Sequence, residues 1–526
     1  MPIQHFFVLM LENRSFDHIF GFSPFTGPDA ITEQQTTTGR PDPSATNTDT
    51  STGKTYPVQS GADFSLKGLD VDPGHEFADV QQQLAGGNGG FVNNYAAQPA
   101  ADPGRVMNCF SPTQLPVLNQ LAAEFAVCDC WFSSLPGPTW PNRFFMMAAS
   151  SGGLTKSPTT GDMIKATILQ GYDFQHGNIF DALDKNDVGW CIVEGDLFPV
   201  SFALKGMDVN SAKGRFVSMN NFAAKLADPN FSERFIFIEP QYGTHQFDGT
   251  GPGDFSGGNS MHPLDDVRKG EQLVKQVYET IRNVPAVWAN SVLLITFDEH
   301  GGFYDHVTPP PATPPGDDPI NAAPGQQPFD FTRLGIRVPA IIVSPLIEKG
   351  IIDHTVYDHT SALATLERLF DVSPLTQRDA AAKDFSHLFT LATPRTDTPV
   401  LLTNPAIAPT EAVTAMTAAP EETKETLTSA LADLEAASTR PAAIPGMPSQ
   451  IAPAAPLAEP EVSAPQSGFA YIGLLRALSQ AKDPQEQALW KKEFTAIRTR
   501  RDAARFMTRA KLKLQYNVYS PPKSIP

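Results

Sequence analysis

Five short stretches of this chain are unbroken runs of apolar or β-branched residues, and each stops at a polar or acidic group. Ser291–Phe297 runs into Asp298-Glu299-His300-Gly301-Gly302-Phe303-Tyr304-Asp305-His306, and His5–Leu11 into Glu12-Asn13-Arg14-Ser15-Phe16-Asp17-His18. Trp190–Val193 meets Glu194-Gly195-Asp196, Phe235–Ile238 meets Glu239-Pro240, and Val338–Val343 meets Ser344-Pro345. Runs of this length without alternation predict strands buried on both faces. Charged groups at a core edge are costly unless paired or bound to metal, so packing does not ask for the Asp298–Glu299 pair. In open parallel α/β sheets ligands sit beyond the carboxyl ends of the strands. The repeated pattern therefore predicts one site assembled from distant segments, with Gly301 and Gly302 letting the backbone turn close to a ligand.

Between the strands, helical periodicity predicts helices near 113–126, 140–150, 264–284 and 359–370. Residues 26–62 and 308–330, rich in Pro, Gly, Thr and Asp, predict long surface loops, and 84–104 predicts irregular chain. Together these define one α/β domain over 1–400: a large, mostly parallel sheet sandwiched by helices. Residues 401–466 read as a Pro/Ala-rich linker carrying a short helix at 421–438, with seven prolines between 441 and 465. A helical extension follows over 467–526, with helices at 468–482 and 484–515. Asp483 is the expected N-cap of the second and Pro484 its first residue. Lys491 to Lys513 holds nine Lys/Arg against two acids. Such a basic helix suits either a peripheral contact with anionic membrane or docking on the acidic body of its own chain.

Bulk properties narrow the function class. The net charge of −18 argues against a nucleic-acid-binding role. Four cysteines, Cys109, Cys128, Cys130 and Cys191, are too few for a disulfide framework and read as buried thiols. The first apolar run lacks a basic lead and is too short to span a membrane, which predicts a soluble protein, cytoplasmic as encoded.

Two motifs carry chemistry. Glu12, Asn13, Asp298 and Glu299 are all oxygen donors, and hard oxygen ligands suit Mg²⁺, Ca²⁺ or Mn²⁺. Carboxylates converging without a cation would repel one another. His75, His245, His262, His300 and His306 leave room for Zn²⁺. The second motif, Pro136-Gly137-Pro138-Thr139-Trp140-Pro141-Asn142-Arg143, fixes the backbone around Thr139 at the start of a helical pattern. There backbone N–H groups favour an anion and a hydroxyl can serve as nucleophile, with Asn142 placed to donate to the transferred group. The plainer alternative makes Thr139 a helix cap and Arg143 half of a surface ion pair.

In order along the chain stand Leu11-Glu-Asn-Arg-Ser-Phe-Asp-His18 with Gly21, Pro138-Thr-Trp-Pro-Asn-Arg143, His262-Pro263 with Asp266 and Gly270-Glu271, Asp298-Glu-His-Gly-Gly-Phe-Tyr-Asp-His306, and Asp358-His-Thr-Ser361 with Glu367. Over residues 3–395 this set resembles the bacterial phosphoesterase family of phosphatidylcholine-type phospholipases C and related acid phosphatases. The resemblance implies an alkaline-phosphatase-like fold and a phosphoric ester hydrolase. It implies one or more divalent cations (Ca²⁺, Mg²⁺, Mn²⁺ or Zn²⁺) on Glu12, Asn13, Thr139, Asp298 and Glu299. Thr139 takes the nucleophile position, His75 and His262 contact the phosphate or protonate the leaving oxygen, and Asn142 and His245 complete the phosphate site. His300 and His306 match motif positions and receive no role. Phospholipase C-like cleavage is the expected activity, phosphomonoester hydrolysis the alternative, and a catalytically silent membrane- or partner-binding protein the rival of a different class. A sulfatase would need a modified Cys or Ser where Thr139 stands.

Overall fold

The computed structural model describes residues 3–23, 45–157, 159, 171–243, 257–320, 328–406, 424–425, 427–429, 431–432, 464–481 and 483–518. The five predicted runs form strands, and three short strands that were not predicted, Ala126–Cys128, Phe216–Ser218 and Ile351–Asp353, join them. These are β1 (His5–Leu11), β6 (Ala126–Cys128), β7 (Trp190–Glu194), β8 (Phe216–Ser218), β9 (Phe235–Glu239), β10 (Ser291–Phe297), β11 (Ala340–Val343) and β12 (Ile351–Asp353). They build one sheet in the order β12-β6-β11-β10-β1-β9-β7-β8. Every residue of β1 and β10 is buried, because both lie mid-sheet with helices on either face. Leu11 pairs with Phe297 in their parallel register, so Glu12-Asn13 and Asp298-Glu299 leave the sheet side by side.

One expectation fails here. β11 runs antiparallel to both β10 and β6, so its end at Ser344 lies at the opposite edge from the other four polar termini. The Ser344 hydroxyl confirms this by donating to the carbonyl of Ser291, the first residue of β10, at 2.8 Å. β6 runs parallel to β12 and antiparallel to β11, so its carboxyl end does face the site edge and leads into the Thr139 segment.

The predicted helices stand at Pro116–Glu124, Thr139–Ala148, Val267–Arg282 and Thr360–Phe370. Two segments read as irregular are more ordered than that. The described part of 26–62 contains the hairpin β2 (Thr46–Asp49) and β3 (Lys54–Pro57), then β4 (Gln59–Ser60) paired with β5 (Asn108–Cys109). Within 84–104 lies a short helix at Phe91–Ala96, preceded by a turn at Ala85–Asn88 in which Gly86, Gly87 and Asn88 are left-handed. Their glycines and asparagines hid the pattern, which tertiary packing of Phe91, Val92 and Tyr95 overrides.

Among the described residues the C-terminal extension forms three helices, not two: Ala464–Gln480, Pro484–Thr495 and Arg500–Tyr516. Thr499 and Asp502 form a reciprocal capping box that starts the third and breaks the predicted 484–515 helix. Asp483 caps the second, as expected. Several basic groups turn inward: Lys513 meets Glu486 at 2.8 Å and Arg509 meets Glu493 at 3.1 Å. The basic helix packs within the extension, along the Ala464–Gln480 helix, with these ion pairs to the Pro484–Thr495 helix where docking on the acidic body was expected. Leu427 and Leu431, in the region predicted as the short linker helix, pack against Leu512. All four cysteines are free and buried. Among the described residues no helix is long and apolar enough to cross a membrane.

Candidate active site

Beyond the carboxyl ends of β1 and β10 lies a narrow cavity of about 30 Å³, lined by Glu12, Asp72, His75, Pro138, Thr139, Trp140, Ser157, His262 and Phe469. Its position follows from the strand register, and its contents arrive from six segments. Thr139 is the first residue of its helix, after the extended Pro138. It is the one partly exposed residue in an otherwise buried run from 125 to 152, and it opens onto this cavity.

The backbone at Asn13 turns left-handed (φ 48°), a conformation asparagine tolerates. The turn brings its N–H to Asp298 Oδ1 at 3.1 Å and its side-chain nitrogen to Thr139 Oγ1 at 3.1 Å and to Glu299 Oε1. Gly301 (φ +65°) makes this approach possible: a Cβ there would lie 2.2 Å from the Asn13 carbonyl oxygen. Gly302 (φ +76°) packs on Pro73 and Gly74 and so seats the loop that carries His75.

Arg143 is fully buried, which corrects its reading as a surface ion pair. Its Nε donates to Asp298 Oδ2 at 3.1 Å, an Nη donates to the Leu11 carbonyl at 3.0 Å, and the same nitrogen stands 3.9 Å from Glu12. Tyr242 lies under the guanidinium at 5.0 Å. Burial nevertheless pushes the Asp298 carboxyl up to about 6, with Glu299 adding to it against Arg143. Burial also raises Glu12 well above its usual range, with Asp298 and Asp265 adding to the effect. One arginine does not neutralise this many acids.

The residues fit a cation. Glu12 Oε2 and Asn13 Oδ1 are buried without a hydrogen-bond partner, although both are strong acceptors. Amide nitrogen and oxygen are assigned from bonding partners. Turning the Asn13 amide over would point its unpartnered oxygen at Thr139 Oγ1 and Glu299 Oε1. Such a convergence of oxygens is stable only around a positive charge.

The two histidines of the cavity are driven apart. Burial pulls His75 down, but the carboxylates of Glu299, Asp72 and Glu76 outweigh it and hold it up at about 10. Its Nδ1 bonds the Pro73 carbonyl at 2.8 Å, so Nε2 is the nitrogen left for other chemistry. Burial, then the charges of His75 and Arg14, drive His262 well below its usual value. Arg14 also places His262, donating to the carbonyls of Met261 and His262 at 2.7 and 3.1 Å. Asp72 stands 3.4 Å from His262 Nε2, and Asp72, His75 and His262 offer ligand atoms within 4.8 Å of one another, a second place where a metal could be held.

Other motif residues are braces. The Asn142 amide is spent on the carbonyls of Leu135, Gly137 and Pro138 and on the Leu135 N–H, so it holds the turn before Thr139 and does not line the cavity. His245 lies outside the described residues. His300 bonds Gln83 at 2.8 Å, and His306 bonds Asp17 at 2.7 Å. Asp17, Asp305 and His306 also cluster closely enough for a metal, but Arg337 fills the role, bonding Asp17 at 2.8 Å and Asp305 at 3.1 Å. His359 donates from Nε2 to the Asp298 carbonyl at 2.7 Å and so fixes the strand end. Glu239 caps Val200 and Ser201, and Glu194 pairs with Arg476, so two of the acidic strand ends serve packing.

Of the residues anticipated, Glu12, Thr139, His75 and His262 meet in the cavity, with Asn13, Asp298 and Glu299 directly behind them. Asp72 and Arg14 were missed as site residues, although Arg14 lies inside the Leu11–His18 motif. Phe469 had no sequence signal, being the far end of a separate segment.

Residues 3–373 match the Phosphoesterase family. The chain is similar to non-specific phospholipase C6 of Arabidopsis thaliana, 38% identical over 434 residues covering 78% of this chain and 76% of that one. It is also similar to phospholipase C B of Mycobacterium tuberculosis, 29% identical over 444 residues covering 74% and 78%. A solved structure in the alkaline phosphatase superfamily from Vibrio parahaemolyticus shares 13% identity at a TM-score of 0.28, covering 51% of this chain and 64% of that one.

Proposed function

Because the chain belongs to the Phosphoesterase family and is thus a phosphoric ester hydrolase, we propose that it cleaves phosphodiesters in the manner of a phospholipase C, with Thr139 as nucleophile. Phospholipid is the favoured substrate class, since relatives named as phospholipases C align over about three quarters of both chains. Glu12, Asn13, Thr139, Asp298 and Glu299 would hold a divalent cation. Bound there, it would supply Lewis acidity that favours the threonine alkoxide and offsets charge on the phosphoryl oxygens.

The chain's own groups do the rest. Thr139, its hydroxyl proton released to solvent, attacks phosphorus in line through Oγ, and the bond to the departing alcohol breaks. His75, held protonated, donates from Nε2 to that alcohol's oxygen. Neutral His262 then takes a proton from the water that attacks the phospho-threonine, releasing the phosphorylated head group and the Thr139 alkoxide; His262 passes its proton to solvent and His75 regains one, which resets the site. The N–H groups at the start of the Thr139–Ala148 helix face the developing charge. The single observation that supports the reading most is the meeting of the Asn13 amide with Thr139 Oγ1 and Glu299, beside the unpartnered Glu12 oxygen.

The test compares release of phosphorylated head group from phosphatidylcholine with release of phosphate from a small aryl phosphate, each with divalent cation supplied. Faster diester cleavage is expected. Preferential phosphate release would shift the reading to a phosphomonoesterase, and near-wild-type turnover by Thr139→Ala would sink the nucleophile assignment.

A further inference from the structure

Phe469, on the Ala464–Gln480 helix, is 2% exposed and forms part of the cavity wall shared with Glu12, His75, Thr139 and His262. Nothing in the sequence near residue 469 resembles the motifs of the site, and the residue reaches it through a helix outside the 3–373 family match. Its ring packs edge-on to Trp140 at 6.4 Å and against Tyr242 at 5.3 Å. Both partners belong to the site: Trp140 follows Thr139, and Tyr242 lies under Arg143.

The helix is held closely. At Gly468 a Cβ would lie 2.5 Å from the Trp140 ring, and Trp140 is itself buried and cannot give way, so only glycine fits. Farther along, Arg476 bonds Glu194 at 2.9 Å and the Leu197 carbonyl at 2.7 Å, and stacks over Phe202 at 4.9 Å. Tyr471 packs on Tyr172 at 5.9 Å. Behind it, Phe494 and the Arg500–Tyr516 helix back the same helix. Phe469 is thus a rigid wall, placed by contacts along several turns.

The cavity is chemically divided. Its lining combines carboxylates, histidines and the hydroxyls of Thr139 and Ser157 with an apolar set, Pro138, Trp140 and Phe469. A phosphoryl centre belongs with the first, which leaves the ester group on phosphorus facing the second. We propose that Phe469 is a specificity-determining residue, setting from the C-terminal extension how bulky an ester group the site accepts. The proposal rests on the phosphodiesterase reading above and adds to it the identity of the wall. Shape changes of a methylene or more in an apolar pocket typically shift discrimination by about 10- to 200-fold.

The test uses the full chain and two diesters with one leaving group, methyl para-nitrophenyl phosphate and bis(para-nitrophenyl) phosphate. The quantity is the ratio of kcat/KM for the bulky ester to that for the small one. Phe469→Ala should raise this ratio at least about tenfold, Phe469→Leu should raise it less, and Phe469→Trp should lower it. Ratios within about twofold of wild type in all three, or equal losses on both esters, would overturn the assignment while leaving the hydrolase reading intact. A wild-type protein inactive on both esters with Mg²⁺, Ca²⁺, Mn²⁺ and Zn²⁺ supplied would instead overturn the phosphodiesterase reading, and the wall with it.

Discussion

The side-chain nitrogen of Asn13 lies 3.1 Å from Thr139 Oγ1, across 126 positions of sequence. This contact joins the end of β1 to the start of the Thr139 helix and gives Asn13 a role that can be split by substitution. If its oxygen serves a cation, Asn13→Asp keeps that oxygen and should hold kcat within about tenfold. Asn13→Leu removes it and should lower kcat by about a hundredfold or more. Equal damage from both substitutions, measured in steady-state kinetics, would mean that the amide N–H groups are what matter.

Arg143 is a buried cation between two acids, and such a partner is costly to remove. Arg143→Met leaves Asp298 uncompensated and should destabilise the fold by about 3–5 kcal/mol, read from urea midpoints. A loss below about 1 kcal/mol would show that Asp298 is neutral in the folded protein, as a carboxyl lifted to about 6 becomes in mild acid.

Chelation should loosen the same region. A ligand that binds only the folded state stabilises it by about 2.7 kcal/mol at a hundredfold excess over Kd. Dialysis against a chelator should therefore lower Tm, and adding back a divalent cation should restore it. Glu12→Gln should blunt both changes. A wild-type Tm indifferent to chelator and cation would remove the cation from the site.

Glu271 offers a pH test away from the cavity. Its carboxylate accepts the N–H groups of Val117 and Leu118 at 3.0 and 2.8 Å, capping the Pro116–Glu124 helix, and burial lifts it from 4.5 to about 8. Its folded pKa lies above the unfolded one. Between about pH 4.5 and 8 the folded chain keeps a proton that the unfolded chain has lost, so stability contributed here falls as pH rises. Glu271→Gln should flatten that decline in urea midpoints taken at intervals across the window. A slope identical to wild type would show that Glu271 is ionised throughout.

Much of the site was legible because its donors sit at the ends of buried runs. Glu12-Asn13 and Asp298-Glu299 were marked by two local facts: an apolar strand, and acids where packing wants none. Thr139 was marked by the prolines and glycine around it. Asn142 was misjudged because a helix-start asparagine looks the same in sequence whether it faces a ligand or, as here, its own preceding turn. Arg143 looked like surface because nothing local says that a guanidinium is walled in by Tyr242 and two strand ends.

The sequence by itself determined the five long apolar strands, the main helices between them, and which oxygen donors stand at the strand ends. These are properties of neighbours in the chain, set by periodicity and by the cost of stranding charge at a core edge. The tertiary structure alone decided that β11 runs backwards and carries Ser344 away from the site. It alone decided that Leu11 and Phe297 share a register and so set two acid pairs together, and that Phe469 closes the cavity. Those outcomes depend on which surfaces bury one another across hundreds of residues, and a local pattern holds no record of its distant partner.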